Sequence, residues 1–305
     1  MRACNCSSSF ANTGTPSCKN LFAVARKLIL VPTYDSTGAR NKIAAGDTIN
    51  AAYYSAAINN ADTTKRWYPT PLIDNIEDVR AEPIIETLAS QKKLFIQDGV
   101  RTFKGMIVME SNILIDKLSA FKCKDFSAYI IDKDRNLIGS YDGTDLYPVQ
   151  VDKDTLNVLL IKTTDSTSQK IELSFDFSTD EKDEDLRMIA ASEMANANPL
   201  ILTGLQDINV AISGTTTEGF IAVLTTDYGT FKTPIPVTGR VITDFTLDSV
   251  TDEAEITITT VTEDPDGTYT FVIPTQTEED VLTLTATMTG FDFPSTSITI
   301  PEAVS

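Results

Sequence analysis

The sequence predicts a mainly β protein with a few helices, in two parts: an N-terminal β-sandwich or barrel domain and a C-terminal β-sandwich. Three observations carry that expectation. From Asp207 onward the chain is a series of short alternating segments, among them Phe220-Ile-Ala-Val-Leu-Thr225, Thr268-Tyr-Thr-Phe-Val-Ile273 and Val281-Leu-Thr-Leu-Thr-Ala286, the period-two pattern of half-buried strands. Upstream, apolar runs recur in pairs across polar turns. Charge also divides the chain: residues 200–305 hold 2 Lys/Arg against 16 Asp/Glu, a net −14 out of −18 for all 305 residues. That length suffices for two domains, each with its own core.

Taken in order, residues 1–20 are rich in Ser, Asn, Thr, Gly and Pro and read as a flexible arm that orders against a neighbour. Residues 21–32 form an apolar strand. Thr48 caps a helix through Asn60, with Ile49, Ala52, Tyr53, Ala56 and Ala57 near one face. The prolines of Trp67-Tyr-Pro-Thr-Pro71 begin a loop toward Arg80. Segments 93–97 and 101–109 flank Asp98-Gly99, a hairpin signal. Residues 111–121 carry Leu114, Ile115, Leu118 and Phe121 at helical spacing. Segments 128–131 and 137–141 flank the turn Asp132-Lys-Asp-Arg-Asn136, and 155–162 pairs with 170–177. Ser178-Thr-Asp180 opens a helix with acids in its first turn and an apolar stripe of Leu186, Ile189, Ala190 and Met194. Asn198-Pro199 ends it and marks the boundary between a self-assembling domain (21–199) and the sandwich (200–305). Further strands are expected at 207–213, 255–260 and 297–300.

The chemistry available is limited by what the chain lacks. It contains no histidine, which removes Ser-His-Asp and Cys-His catalysis. No acid pair is singled out, so neither an enzyme nor a cofactor is expected. Asp132, Asp134 and Asn136 open like a calcium loop, but Leu137 stands where the loop needs Gly and Gly143 where it needs Glu; a tight turn is the better reading. The acid run 180–185 reads as a solvated cap, and Glu263-Asp-Pro-Asp-Gly267 as a hairpin turn set by Pro265 and Gly267. Cys4, Cys6 and Cys18 lack the usual zinc spacing, and Cys123 completes a thiolate set only if the fold brings it close; free thiols and no metal are expected. No stretch reaches membrane-spanning length, and the start lacks the apolar core of a signal peptide, so folding in the cytoplasm is the expectation. The acidic C-terminal part repels phosphate backbones, which argues against tight nucleic-acid binding.

One aromatic cluster invites a functional reading. Trp67, Tyr68 and Pro71, with Arg66 beside them, form either a subunit interface or a plug that closes the core. The adjoining charges of Lys65 and Arg66 favour the interface, so Arg66, Trp67, Tyr68 and Pro71 are the candidate interface residues.

The segments Asp244-Phe-Thr-Leu247, 255–263, 266–273 and 280–284 resemble an immunoglobulin-like domain of the kind appended to virion and bacterial surface proteins, although no Cys or Trp lies beyond Cys123. The N-terminal region resembles the tail tube proteins of tailed bacteriophages in its three strand pairs, its helix near 111–121, its loop at 67–80 and its arm. That resemblance implies a virion structural protein: hexameric rings of the chain stack into a tube, DNA passes through without specific binding, and other virion proteins are partners. It implies no membrane and an outward-facing immunoglobulin-like domain with weak host-surface contact. A head-to-tail connector, a capsid decoration or head-fibre protein, and an immunoglobulin-like surface adhesin are the alternatives.

Overall fold

Apolar runs that alternate and apolar runs that do not sort the strands by how many faces they bury. The computed structural model describes residues 14, 21–195, 197–264 and 266–302; Cys4, Cys6, Cys18, Pro265 and nearly all of the expected arm lie outside the described residues. In the Phe126–Asp132 strand all seven residues are buried, the mark of a strand covered on both sides. It pairs antiparallel with Ala25–Pro32, Leu30 facing Ala128. This pair is the centre of a sheet ordered Leu186–Ile189, Leu137–Tyr141, Phe126–Asp132, Ala25–Pro32, Tyr68–Pro69.

One face of that sheet, through Leu28, Leu30, Phe126 and Ile130, packs on Phe103, Ile107, Leu173 and Phe175 of a second sheet. The second sheet runs Asn157–Ile161, Lys170–Asp176, Arg101–Val108, Asp74–Arg80. Its strands alternate strictly, as in Lys170–Asp176, because only one face meets the core. Phe103 and Phe175 stack at 5.2 Å. The other face of the central sheet, through Ile29, Val31, Tyr129 and Ile131, is covered by Tyr54 and Ile58 of helix α1 (Ala51–Ile58), by Trp67 and by Met194. Helix α2 (Ile113–Ser119) closes one end of the sandwich with Leu118. These are the two α-helices among the described residues.

The C-terminal region is a second β-sandwich. One sheet runs Thr260–Asp264, Thr268–Val272, Gly219–Thr230, Gln206–Thr216, Phe291–Asp292, with Thr233–Pro236 also on Gly219–Thr230. The other runs Ala254–Ile256, Phe245–Ser249, Val281–Ala286, Thr296–Thr299. Phe220 stacks on Phe271 at 4.7 Å and Phe245 meets Phe271 edge-on at 4.9 Å. The mainly β class, with few helices, is as the alternation required.

Several local expectations are corrected. The cap of α1 is Asn50, not Thr48: the Asn50 side chain accepts the Tyr53 N–H at 2.9 Å. The expected helix after Ser178 is a 3-10 turn followed by the Leu186–Ile189 strand, paired with Leu137–Tyr141. Its apolar residues split by strand parity, Leu186 and Met188 toward one core and Ile189 toward the other, so tertiary pairing overrides the helical spacing. The segment 255–260 divides, Ala254–Ile256 in one sheet and Thr260–Asp264 in the other. The 67–80 segment is not a loop, for Tyr68–Pro69 and Asp74–Arg80 are both strands.

The strands Lys93–Gln97 and Arg101–Val108 do not pair with each other across Asp98-Gly99. Arg101–Val108 pairs with Asp74–Arg80, and Lys93–Gln97 pairs with Ile84–Thr87, so 74–108 is one long hairpin whose outer half leaves the sheet. A Cβ on Gly99 would lie 2.0 Å from the Ala81 carbonyl oxygen. The glycine therefore serves close strand approach at a bend, and the turn lies further out, where the Leu88 N–H donates to the Lys92 carbonyl at 2.9 Å.

The turn expected at 132–136 is present, and its reason is Asp132. This fully buried carboxylate accepts from the Asp134 and Asn136 N–H groups, each at 2.9 Å, and from Asn136 Nδ2 at 2.8 Å. Its lone pairs serve the turn.

Candidate functional site

The residues chosen from sequence are committed inside the chain. Trp67 is 6% exposed and lies 5.1 Å from the Tyr129 ring, with Tyr53 and Tyr54 edge-on at 5.7 and 5.9 Å. It closes the core behind the central sheet, which is the other of its two readings. Arg66 is also buried; its guanidinium donates to both carboxylate oxygens of Asp292, at 2.6 and 3.3 Å. The charge that pointed toward a partner subunit therefore ties the N-terminal body to the C-terminal sandwich. The Tyr68 hydroxyl donates to the Thr63 carbonyl at 3.0 Å, and Tyr68 and Pro71 line a cleft.

That cleft has a volume of about 1090 Å³ and lies between the two sandwiches. Its apolar wall includes Leu30, Pro71, Leu114, Phe121, Leu202 and Leu205. Asp74, Glu110 and Asp207 stand among its polar lining. Two lysines act here, Lys27 on the connecting segment and Lys117 on the C-terminal sandwich. Lys27 is buried and its ammonium donates to the carbonyls of Leu200 and Leu202 at 3.0 and 2.5 Å. Lys117 donates to Asp207 at 2.6 Å and to Asp227. Burial works against the Lys117 charge, but the two carboxylates outweigh it and raise its pKa.

The outer half of the long hairpin has the opposite character. Ile84, Ile85, Phe95 and Ile96 are each about half exposed, at 52, 50, 49 and 51%. Adjacent strand residues point to opposite faces, so both faces of this ribbon present apolar side chains to solvent. A two-stranded hairpin is marginal in water unless something packs against it. Its root, by contrast, is held firmly. Arg101 makes a bidentate pair with Asp78 at 2.6 and 2.5 Å and lies over the Phe177 ring at 4.9 Å. Arg80, directly opposite Arg101, donates to Asp183 at 2.7 and 3.0 Å and to the Gly99 carbonyl at 2.9 Å. Asp78 and Asp183, the latter also 3.9 Å from Arg101, offset the repulsion expected of like charges facing across a ladder.

Sequence reasoning missed this ribbon because Leu94-Phe95-Ile96 reads as an ordinary core strand. The available signal was the second doublet, Ile84-Ile85, whose consecutive apolar residues serve opposite faces. Cys123 is a free, exposed thiol, and among the described residues no group of Cys, Asp or Glu is arranged to hold a metal. No helix among them is long and apolar enough to cross a membrane.

Two predictions follow from this placement. Trp67→Ala should destabilise the isolated chain by about 3–5 kcal/mol through the cavity it leaves, measured by urea unfolding; unchanged monomer stability with impaired assembly would return Trp67 to an interface. Burial also lowers the Lys27 pKa from 10.5 to about 8. Its folded pKa is below its unfolded one, so between pH 8 and 10.5 the unfolded chain binds more protons and stability rises with pH. Measured against Lys27→Met, wild type should gain up to about 3 kcal/mol across that window; a difference flat with pH would contradict burial as the cause. No family model, curated protein or solved structure matches this chain.

Proposed function

We propose that this chain is a self-assembling structural protein of the phage virion, a tail tube subunit whose rings stack around a channel wide enough for DNA. Residues 21–199 would form the wall and residues 200–305 an outward-facing immunoglobulin-like decoration. The observation that carries the reading is the ribbon Ile84–Thr87 with Lys93–Gln97, apolar on both faces and without a core of its own. Such a surface is a liability on a solitary chain and an asset on one that is covered in an assembly.

The sheet edges favour the same reading. The four-stranded sheet ends in Asn157–Ile161 on one side and Asp74–Arg80 on the other. Leu159, at 48% exposure, and Ile161 leave the first of these edges without the charges that usually guard one. Edge-to-edge pairing between neighbours would satisfy both edges and close a ring, as barrels do. Within residues 21–199 carboxylates outnumber Lys and Arg 27 to 21, and that modest excess would disfavour adhesion of DNA phosphates to such a wall.

Electron microscopy of the purified full chain tests this directly. Stacked rings or tubes with a central channel are expected. Leu159→Lys with Ile161→Lys should prevent ring formation while leaving a folded monomer by circular dichroism. A wild-type chain that stays monomeric at high concentration would overturn the proposal.

A further inference from the structure

The two sandwiches have separate cores. Among the described residues, the apolar clusters of the N-terminal body extend no further than Leu205, and that of the C-terminal sandwich begins at Ile208. To the cleft between them the C-terminal sandwich contributes Gln206, Asp207 and Tyr228, so its side of the gap is chiefly polar. Lys27 pins the chain as far as Leu202, and the sandwich starts where Gln206 pairs with Phe291. Thr203-Gly204-Leu205 lies between, a link short enough to act as a pivot and containing a glycine to absorb a change of direction.

Charge holds the C-terminal sandwich against the body. Asp207 and Asp292 stand opposite each other on the neighbouring strands Gln206–Thr216 and Phe291–Asp292, where two carboxylates repel. Each takes its cation from a different place on the N-terminal body. Arg66 donates to Asp292 at 2.6 Å, while its Nε donates to the Asn60 carbonyl at 2.9 Å and keeps it with that body. Lys117 on α2 donates to Asp207 at 2.6 Å and also to Asp227. The three carboxylate side chains are 54, 35 and 39% exposed for Asp207, Asp227 and Asp292, within reach of solvent ions. We propose that these contacts form an ionic latch, and that its release lets the C-terminal sandwich swing about Thr203-Gly204-Leu205 and open the cleft. Salt releases it, because at about 1 M the screening length falls to about 3 Å, comparable with the contacts themselves. With no apolar cluster shared among the described residues, relative motion of the two parts is the expected consequence. The latch lies within one chain and does not depend on self-assembly.

A distance measured inside one chain tests the latch. One nitroxide label goes on exposed Cys123, next to cleft-lining Lys124, and the other on Phe231→Cys, at the fully exposed tip of the hairpin that carries Tyr228. Cys4→Ser, Cys6→Ser and Cys18→Ser leave these two thiols alone to react, and dilution with unlabelled chains excludes distances between copies. Pulsed electron resonance should give one short, narrow distribution at low salt. At about 1 M salt a longer and broader population should dominate. Asp207→Asn with Asp292→Asn, isosteric changes at partly exposed positions, should show the long population already at low salt, with unchanged circular dichroism. Lys117→Gln, from the other side of the contact, should shift the distribution the same way. A wild-type distance unmoved by salt would overturn the latch. So would variants from both sides that keep the short distance at low salt.

Discussion

The structure depends on one sheet buried on both faces. Ala25–Pro32 and Phe126–Asp132 lie between two separate apolar clusters, one shared with the four-stranded sheet and one with α1 and Trp67. A strand in that position has no solvent face, so its side chains must be apolar in consecutive positions and its polar atoms satisfied locally. The Thr33 and Ser127 hydroxyls meet each other at 2.9 Å, and the Tyr129 hydroxyl reaches the Leu146 carbonyl at 3.0 Å. Asp132 at the strand end is occupied by turn amides. Because the central sheet is closed in this way, the four-stranded sheet packs one face on it and leaves the other to solvent.

What the sequence disclosed follows from the same division. Strict alternation identified the C-terminal strands and the pairing of Asn157–Ile161 with Lys170–Asp176. The failures came where two patterns coincide. Leu186, Ile189 and Ala190 satisfy helical spacing, yet an open edge at Leu137–Tyr141 recruits the segment as a strand. Asp98-Gly99 has turn chemistry, but the glycine answers to the Ala81 carbonyl beside it. Trp67 was legible as important and ambiguous in role; only the surrounding rings of Tyr53, Tyr54 and Tyr129 assign it to the core. The cleft had no signal in the sequence, since its walls come from segments as far apart as Leu30 and Tyr228.

Charge does different work at the three junctions that shape the candidate site. Buried Arg66 ties the two sandwiches together through the Asp292 carboxylate, and buried Lys27 holds the segment that connects them through its carbonyls. Arg80 and Arg101 fix the direction in which the ribbon leaves the body. Lys92 and Lys93 have no ion-pair partner among the described residues. The first two sets hold the body together around the cleft and at the root of the ribbon.

The central claim is that the ribbon exists to be covered by another copy. Hydrogen exchange at the amides of residues 84–97, followed in dilute and in assembled protein, addresses it most directly. The account predicts rapid exchange in the dilute chain and strong protection that appears with assembly. Equally rapid exchange in the assembled protein would contradict it.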